Sequence, residues 1–351
     1  MSSVKINREE FLQILEAVAP GTTKRGIIEQ SDKFAFDNGR VHTFNGEIYC
    51  KAKSKLPKDW KVSVNSVGLL AILRKLTDAQ ISVSIGESEL LIEGKNRQAG
   101  IQLDSVVTLP YDTVDTPKDW KPLHENFIEA VSIVKECAGK DESRFVTTCL
   151  RLHPKYIEAC DQFQACRYTV KSPISRPFLV RKESIKHIVG LDMTEICETD
   201  SWVHFRNPAG IHLSCNRMIA EEKGFKNFDE MFSEEPGNRT FLPKAIATAA
   251  EAGEVFSSEN AEANYLQITL KPGMMQIKGQ GLSGWYREVK KVKYSGQKLQ
   301  FYIGPKILIE ITKRSSECFV KATKMRVNGT NFIYIATIGQ PAAKADKGES
   351  E

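Results

Sequence analysis

The chain has 351 residues, more than one ordinary domain holds and in keeping with two or three. Its 41% hydrophobic and 26% charged residues describe a globular chain, with no apolar run long enough to span a membrane and no secretory leader, so a cytoplasmic protein is expected. A balance of 49 basic to 44 acidic residues, net +5, is too even to name a nucleic-acid partner, and the distribution of the cations has to carry that question.

Taken in order, Lys5-Ile6-Asn7 reads as a strand running into a helix, with Asn7 and Glu10 spaced as a capping box and Phe11, Ile14, Leu15 and Val18 on the buried face. Pro20-Gly21 ends that helix, and Thr22-Thr23-Lys24-Arg25-Gly26 forms an exposed basic loop. Strands follow near Lys33–Phe36 and Val41–Ala52, turned at Asn38-Gly39. Val62 and Val64 then alternate with polar neighbours, and Asn65 or Ser66 caps a helix carrying Leu69, Leu73 and Leu76, with Arg74 and Lys75 in its last turn. Ile81, Val83 and Ile85 return to period two, turn at Gly86-Glu87-Ser88, and continue through Leu90–Ile92.

The same strand–helix–strands module recurs. Phe178–Val180 leads into Lys182–Gly190 and strands at Trp202–Phe205 and Ile211–Cys215; Phe301–Ile303 leads into Pro305–Arg314 and strands at Cys318–Ala322 and Phe332–Ile335. Copies spaced by roughly 115 residues predict three like α+β domains of two modules each. Boundaries are expected at the polar stretches near Thr116-Pro117 and Pro236-Gly237, giving domains 1–116, 117–236 and 237–339 and a disordered tail, 340–351. Within them, helices are expected at His124–Cys137 and 243–252, and strands at Phe145–Leu152, Tyr156–Asp161, Cys166–Val170, Tyr265–Leu270, Met274–Lys278 and Trp285–Tyr294.

The motifs exclude more than they support. Gly279 to Gly284 matches G-x-G-x-x-G, yet Trp285–Val289 continues as strand, so a hairpin turn is expected in place of a phosphate-binding loop. Eight cysteines without a C-x-x-C pair read as buried free thiols, and six histidines lack metal spacing, so neither a metal nor a cofactor is expected. The residues point to no catalytic group. Basic residues recur on the helices of almost every module: Arg74 and Lys75, Lys135 and Lys140, Lys182 and Lys186, Lys244, then Lys306, Lys313 and Arg314. Singly each is a solvated charge; shared on one side of the assembly, they form a surface that holds phosphate without reading bases.

The order of modules resembles the bacterial-type sliding clamp, the beta processivity subunit of DNA polymerase III. The resemblance spans residues 1 to about 339. It is carried by INREEFLQILEAVAPGTTKR, by the 62–117 stretch ending LDSVVTLPYDTV, by YIEACDQFQACRYTVKSPI and by FYIGPKILIEITKR. It implies three clamp domains per chain, helices inside and antiparallel sheets outside, and a homodimeric ring around double-stranded DNA, placed by a clamp loader and tethering a replicative polymerase. It places DNA contacts at Lys24 and Arg25 and near Lys140, Arg144 and Phe145, beside the helical Arg74, Lys75, Lys186, Lys313 and Arg314. The family's partner pocket falls on Cys160, Asp161, Gln162, Phe163, Gln164 and Ala165, with Met231 and with Ala336, Thr337 and Ile338; of the family's segment there, the aspartate alone is retained. Cys160, Phe163 and Ala165 are expected on one side of one strand. The resemblance also implies a dimer contact between an edge strand bearing Ile101 and Leu103 and the end of a helix at Ala250-Glu251-Ala252. Two alternatives stand beside this reading: a binding protein of the same repeated fold that forms no ring, and an enzyme whose groups converge without a motif.

Overall fold

A computed structural model describes residues 3–24, 26–219, 221–257 and 264–339. Short helices of this size are marginal alone, and the first two are each held by a side-chain cap and an apolar face. In α1 (Arg8–Val18) the Asn7 side chain accepts the Glu10 N–H at 3.0 Å, while Phe11, Leu12, Leu15 and Val18 are buried. Ile14 is half-buried, and the Glu10 carboxylate accepts from Lys55 Nζ at 2.7 Å, so the reciprocal half of the capping box is not made. In α2 (Ser66–Lys75) Asn65 accepts the Gly68 N–H at 2.9 Å and Leu69 and Leu73 are fully buried.

The later helices depart from expectation for local reasons. The helix α3 (Phe127–Val134) tightens into a 3-10 turn at Lys135–Cys137, and α4 (Lys182–Ile185) lasts one turn before the 3-10 segment Lys186–Gly190, where Ile188, Val189 and Gly190 are weak helix formers. Glu142–Thr148, expected to begin a strand at Phe145, is 3-10 as well. Asp141 caps it through the Ser143 N–H at 3.0 Å, and the Thr147 and Thr148 hydroxyls donate to carbonyls three residues back at 2.8 and 2.7 Å. After α5 (Asp229–Ser233), α6 (Ile246–Ser257) starts three residues later than expected because Pro243 closes a turn with the Ile246 N–H. Last, α7 (Pro305–Arg314) carries proline at its first position, where no N–H is missed. No helix among the described residues is long and apolar enough to cross a membrane.

The turns follow their residue types. Asn38 and Gly39 sit at φ +50° and +70°, the pair of left-handed positions that a two-residue hairpin requires. The single strand expected over 41–52 is broken by Asn45, whose side chain accepts the Glu47 and Ile48 N–H groups at 3.0 and 2.8 Å. Gln280 faces Trp285 across the glycine-rich stretch, and Gly281 N–H reaches Gly284 O at 2.9 Å, a hairpin as expected.

The chain forms two compact bodies: residues up to Glu136 with Asp141–Ile157 and Val170–Phe225, and Cys137–Lys140 with Glu158–Thr169 and Lys226 onward. The first holds a sheet of twelve strands among the described residues, every neighbouring pair antiparallel. Its order begins Ser3–Asn7, Gln80–Ile85, Glu89–Glu93, Gln98–Asp104 and continues Val62–Asn65, Lys33–Asp37, Arg40–Phe44, Ile48–Lys53. There it passes directly to the second repeat: His212–Asn216, Trp202–Arg206, Glu195–Glu198, Lys121–Pro122. The segment between the two repeats is pinned across this junction, since Leu109 and Val114 share a cluster with Phe44, Tyr49 and Trp202. Tyr111 donates to Asp37 at 2.7 Å and stacks on His42 at 4.2 Å.

In the second body Gln164–Thr169 pairs with Phe332–Thr337, followed by Lys324–Asn328, Glu317–Lys321 and Asn238–Phe241. A separate four-stranded sheet runs Trp285–Lys291, Met274–Gln280, Leu266–Lys271, Leu299–Ile303. Helices α6 and α7 pack on each other, and α6 packs on this sheet, burying Met275, Ile277, Phe301, Leu308 and Ile311.

Candidate nucleic-acid and partner interface

The cations expected to meet phosphate fall into three environments. Lys24, Lys75 and Lys140 are exposed and have no carboxylate partner among the described residues; Arg25 lies outside them. A second group is paired. Arg74 donates to Glu16 of α1 at 2.9 Å, Lys186 pairs with Glu183, Lys313 donates to Glu310 at 2.9 Å, and Arg144 stands 3.8 Å from Asp141. Such exposed pairs stabilise little, yet in each the neighbouring carboxylate competes with a phosphate for the cation. Arg314 is paired as well, but buried. Its side chain is 8% exposed, 3.3 Å from Glu310 and 5.3 Å from the Tyr334 ring centre, so it acts as a packing cation and is corrected from the DNA-facing set. Phe145 is half-buried under the Arg181 guanidinium at 5.5 Å, which is itself held by Glu47 at 2.7 Å and by Glu142. The Glu183–Lys186 and Glu310–Lys313 spacings were visible as helical neighbours; the Glu16–Arg74 pairing was not, because two helices had to meet.

The residues expected to line a partner pocket all lie in the second body. Asp161 organises a turn by accepting the Phe163 and Gln164 N–H groups at 2.7 and 2.9 Å. Phe163 therefore stands at a turn tip, 45% exposed, between the strands Tyr156–Cys160 and Gln164–Thr169. It does not share one strand face with Cys160 and Ala165, which are buried. Ala336 and Ile338 are buried too, Thr337 and Gln162 are exposed, and Met231 is half-buried. The Gln164 side chain is used up by Asp161 at 2.9 Å and by the Tyr334 hydroxyl. Met231 lines a hollow of about 20 Å³ with Phe319, Arg326 and Ile335, room for one water and not for a side chain. Beside it Arg167 binds the fully buried Glu158 at 2.7 Å, reaches Asp229 at 2.7 Å, and covers the Phe232 ring at 4.7 Å, an anchor that the sequence reading missed.

Of the residues expected at a dimer contact, Ile101 is half-buried, Leu103 and Ala250 are buried, Ala252 is half-buried and Glu251 is exposed. Residues 98–102 pair with Glu89–Glu93, and Leu103 and Asp104 with Val62–Asn65, so the remaining side of 98–102 carries no strand among the described residues. Trp285–Lys291 is likewise the outermost strand of its sheet.

No group of three or more His, Cys, Asp or Glu among the described residues is placed to hold a metal. All eight cysteines are buried and free, and burial pushes the thiols of Cys50, Cys160 and Cys318 up to about 12, which keeps them protonated and inert. Burial also lowers His42, His204 and His212 to about 4, so these rings are neutral packing groups at neutral pH.

Repeated α/β modules joined edge to edge, with apolar-faced helices under long antiparallel sheets, define the sliding-clamp fold. The chain has that fold in the form found in bacterial DNA polymerase III beta subunits. The DNA polymerase III beta chain of Streptococcus pneumoniae superposes with a TM-score of 0.77 at 14% identity, over 97% of this chain and 100% of its own. The beta subunit of Thermotoga maritima gives 0.76 at 16% identity over 97% and 100%, and the DNA polymerase sliding clamp of Pseudomonas aeruginosa 0.73 at 11% over 97% and 100%. No protein-family model matches the sequence, and no curated protein does.

Proposed function

We propose that the chain is a divergent DNA sliding clamp: two copies close head to tail around duplex DNA, and the ring, set in place by a clamp loader, tethers a replicative polymerase without chemistry. The observation that carries this reading is the rule by which repeats join. In the first body the fourth strand of the first repeat's leading module, Ile48–Lys53, pairs with the last strand of the second repeat, His212–Asn216. In the second body Gln164–Thr169, the fourth strand of the second repeat's leading module, pairs with the last strand of the third, Phe332–Thr337. One pair is left by that rule: Trp285–Lys291 of the third repeat and Gln98–Asp104 of the first. Both present open edges, and an open edge recruits a strand. A second copy supplies it.

The rule supports domains 1–116, 117–236 and 237–339, and it moves the seam from Ala250, which is buried, to the strand edge. Ile101 would meet Tyr286 and the 62%-exposed Val255, with Glu251 and Ala252 alongside. Lys24, Lys75 and Lys140 are the cations best placed to meet phosphate. For partners, the exposed Phe163 and Thr337 with Met231 form the docking surface, in place of a deep pocket. Retention on DNA tests the reading: after loading, the protein should stay on a closed circle and run off once the circle is cut. Equal retention on circular and linear DNA would overturn it.

A further inference from the structure

The four-stranded sheet of the second body buries Leu266, Ile268, Met275, Ile277 and Phe301 on one face and turns the other to solvent. Register fixes what stands there. One row crosses all four strands as Tyr302, Gln267, Lys278 and Arg287. Toward the hairpin the next row ends on Gln280 and Trp285; in the other direction come Gln276 and Val289, then Lys271, Met274 and Lys291. Lys271, Lys278, Arg287 and Lys291 are all exposed, and no carboxylate shares the face among the described residues, in a chain with 44 acidic residues. Arg287 hydrogen-bonds the Gln276 amide at 3.3 Å. Trp285 is 65% exposed, and with Gln267, Gln276, Gln280, Lys278 and Arg287 it lines a groove of about 580 Å³.

We propose that this outer face binds single-stranded nucleic acid, with a base stacked on Trp285 and phosphates held by Lys278 and Arg287. Strands about 4.8 Å apart make the four-residue row about 14 Å long, enough for cations and ring to engage consecutive nucleotides. An exposed indole flanked by cations offers each base a π-face and each phosphate a charge, without a sequence code. The glutamine amides add donors and acceptors for base edges. Duplex DNA cannot use the indole, because its base faces are already stacked, and an acidic peptide would use the cations alone. Pairing along the Trp285–Lys291 edge engages backbone groups, whereas these side chains stand perpendicular to the sheet, so the face stays open in a ring and the inference does not depend on one.

The experiment is a titration of the full chain with oligo-thymidylate, read by tryptophan quenching and by anisotropy of a labelled oligonucleotide. Trp60 and Trp202 are buried and Trp120 is half-buried under the Arg206 guanidinium at 4.4 Å, so the quenching lost in Trp285→Ala is the part that reports on Trp285. Saturable quenching that weakens with salt is expected, with Trp285→Ala costing about tenfold in affinity. Trp285→Phe, which keeps a ring, should retain most of it, and Lys278→Glu combined with Arg287→Glu should abolish it. Unchanged affinity in Trp285→Ala and in the double variant would overturn the proposal. So would equal weakening of duplex binding by the same substitutions, or displacement of the oligonucleotide by polyglutamate at equal charge.

Discussion

His204 lies buried on the strand Trp202–Arg206 with Nδ1 2.7 Å from the Ser214 hydroxyl and Nε2 3.0 Å from that of Thr199. His42 is 2.8 Å from the Tyr49 hydroxyl, and burial lowers both rings from 6.5 to about 4. Between those values the unfolded chain binds the extra protons, so the stability these rings contribute is whole above pH 6.5 and falls away as pH drops toward 4. The full loss is on the order of 3 kcal/mol per buried ring. A lower urea midpoint at pH 5 than at pH 7 is expected, with a smaller drop in His204→Gln; equal drops would show that other groups govern acid unfolding. The cations divide in the same way by environment. Lys140→Gln should weaken duplex binding and reduce the salt slope by about 0.9, whereas Arg314→Gln should leave the slope unchanged and lower stability. Arg167→Met should cost about 3–5 kcal/mol in denaturant unfolding, because it strands the buried Glu158 carboxylate.

At the scale of elements, α1, α2 and α7 are each held down by two or three fully buried side chains: Phe11, Leu15 and Val18, Leu69 and Leu73, and Leu308 and Ile311. Leu15→Ala in α1 or Leu73→Ala in α2 should cost about 2–5 kcal/mol, read as a shift in the urea midpoint, since neither site has an exposed route to collapse. Strand edges have a different sensitivity. Ile101 is half-buried beside an open backbone edge, so Ile101→Asp should leave the unfolding midpoint within about 1 kcal/mol while preventing strand addition. If Ile101→Asp assembles as the unaltered chain does, the seam is not at this strand.

For the whole molecule, two sheet junctions of one kind leave one pair of open strand edges, which the proposed ring would close between copies. Light scattering should give twice the chain mass for the unaltered protein and the chain mass for Ile101→Asp. The same variant should lose retention on circular DNA while keeping its affinity for short duplexes, because phosphate attraction needs no ring. A chain that stays monomeric at tens of micromolar, the range of weak interfaces, would count against closure.

Caps, turns and repeats were determined locally, and the sequence shows them: Asn7 and Asn65 cap through their own third neighbours, Asn38-Gly39 supplies left-handed backbone, and the module recurs at a regular spacing. Helix lengths after Val134 and Ile185 were less legible, because 3-10 and α geometry differ by little and Thr147 and Thr148 bond their own backbone. Tertiary structure alone decided which cations remain available to phosphate. Glu16 meets Arg74 only once α1 and α2 pack, and Arg314 is lost to the Tyr334 ring, with two strands between them in the sequence. The turn with Phe163 at its tip is closed locally by Asp161, whereas the burial of Cys160 and Ala165 on the strands either side came only with packing. Sequence sets what each segment can become; which charges and edges stay exposed depends on long-range packing, where partners far apart in the chain compete for the same groups.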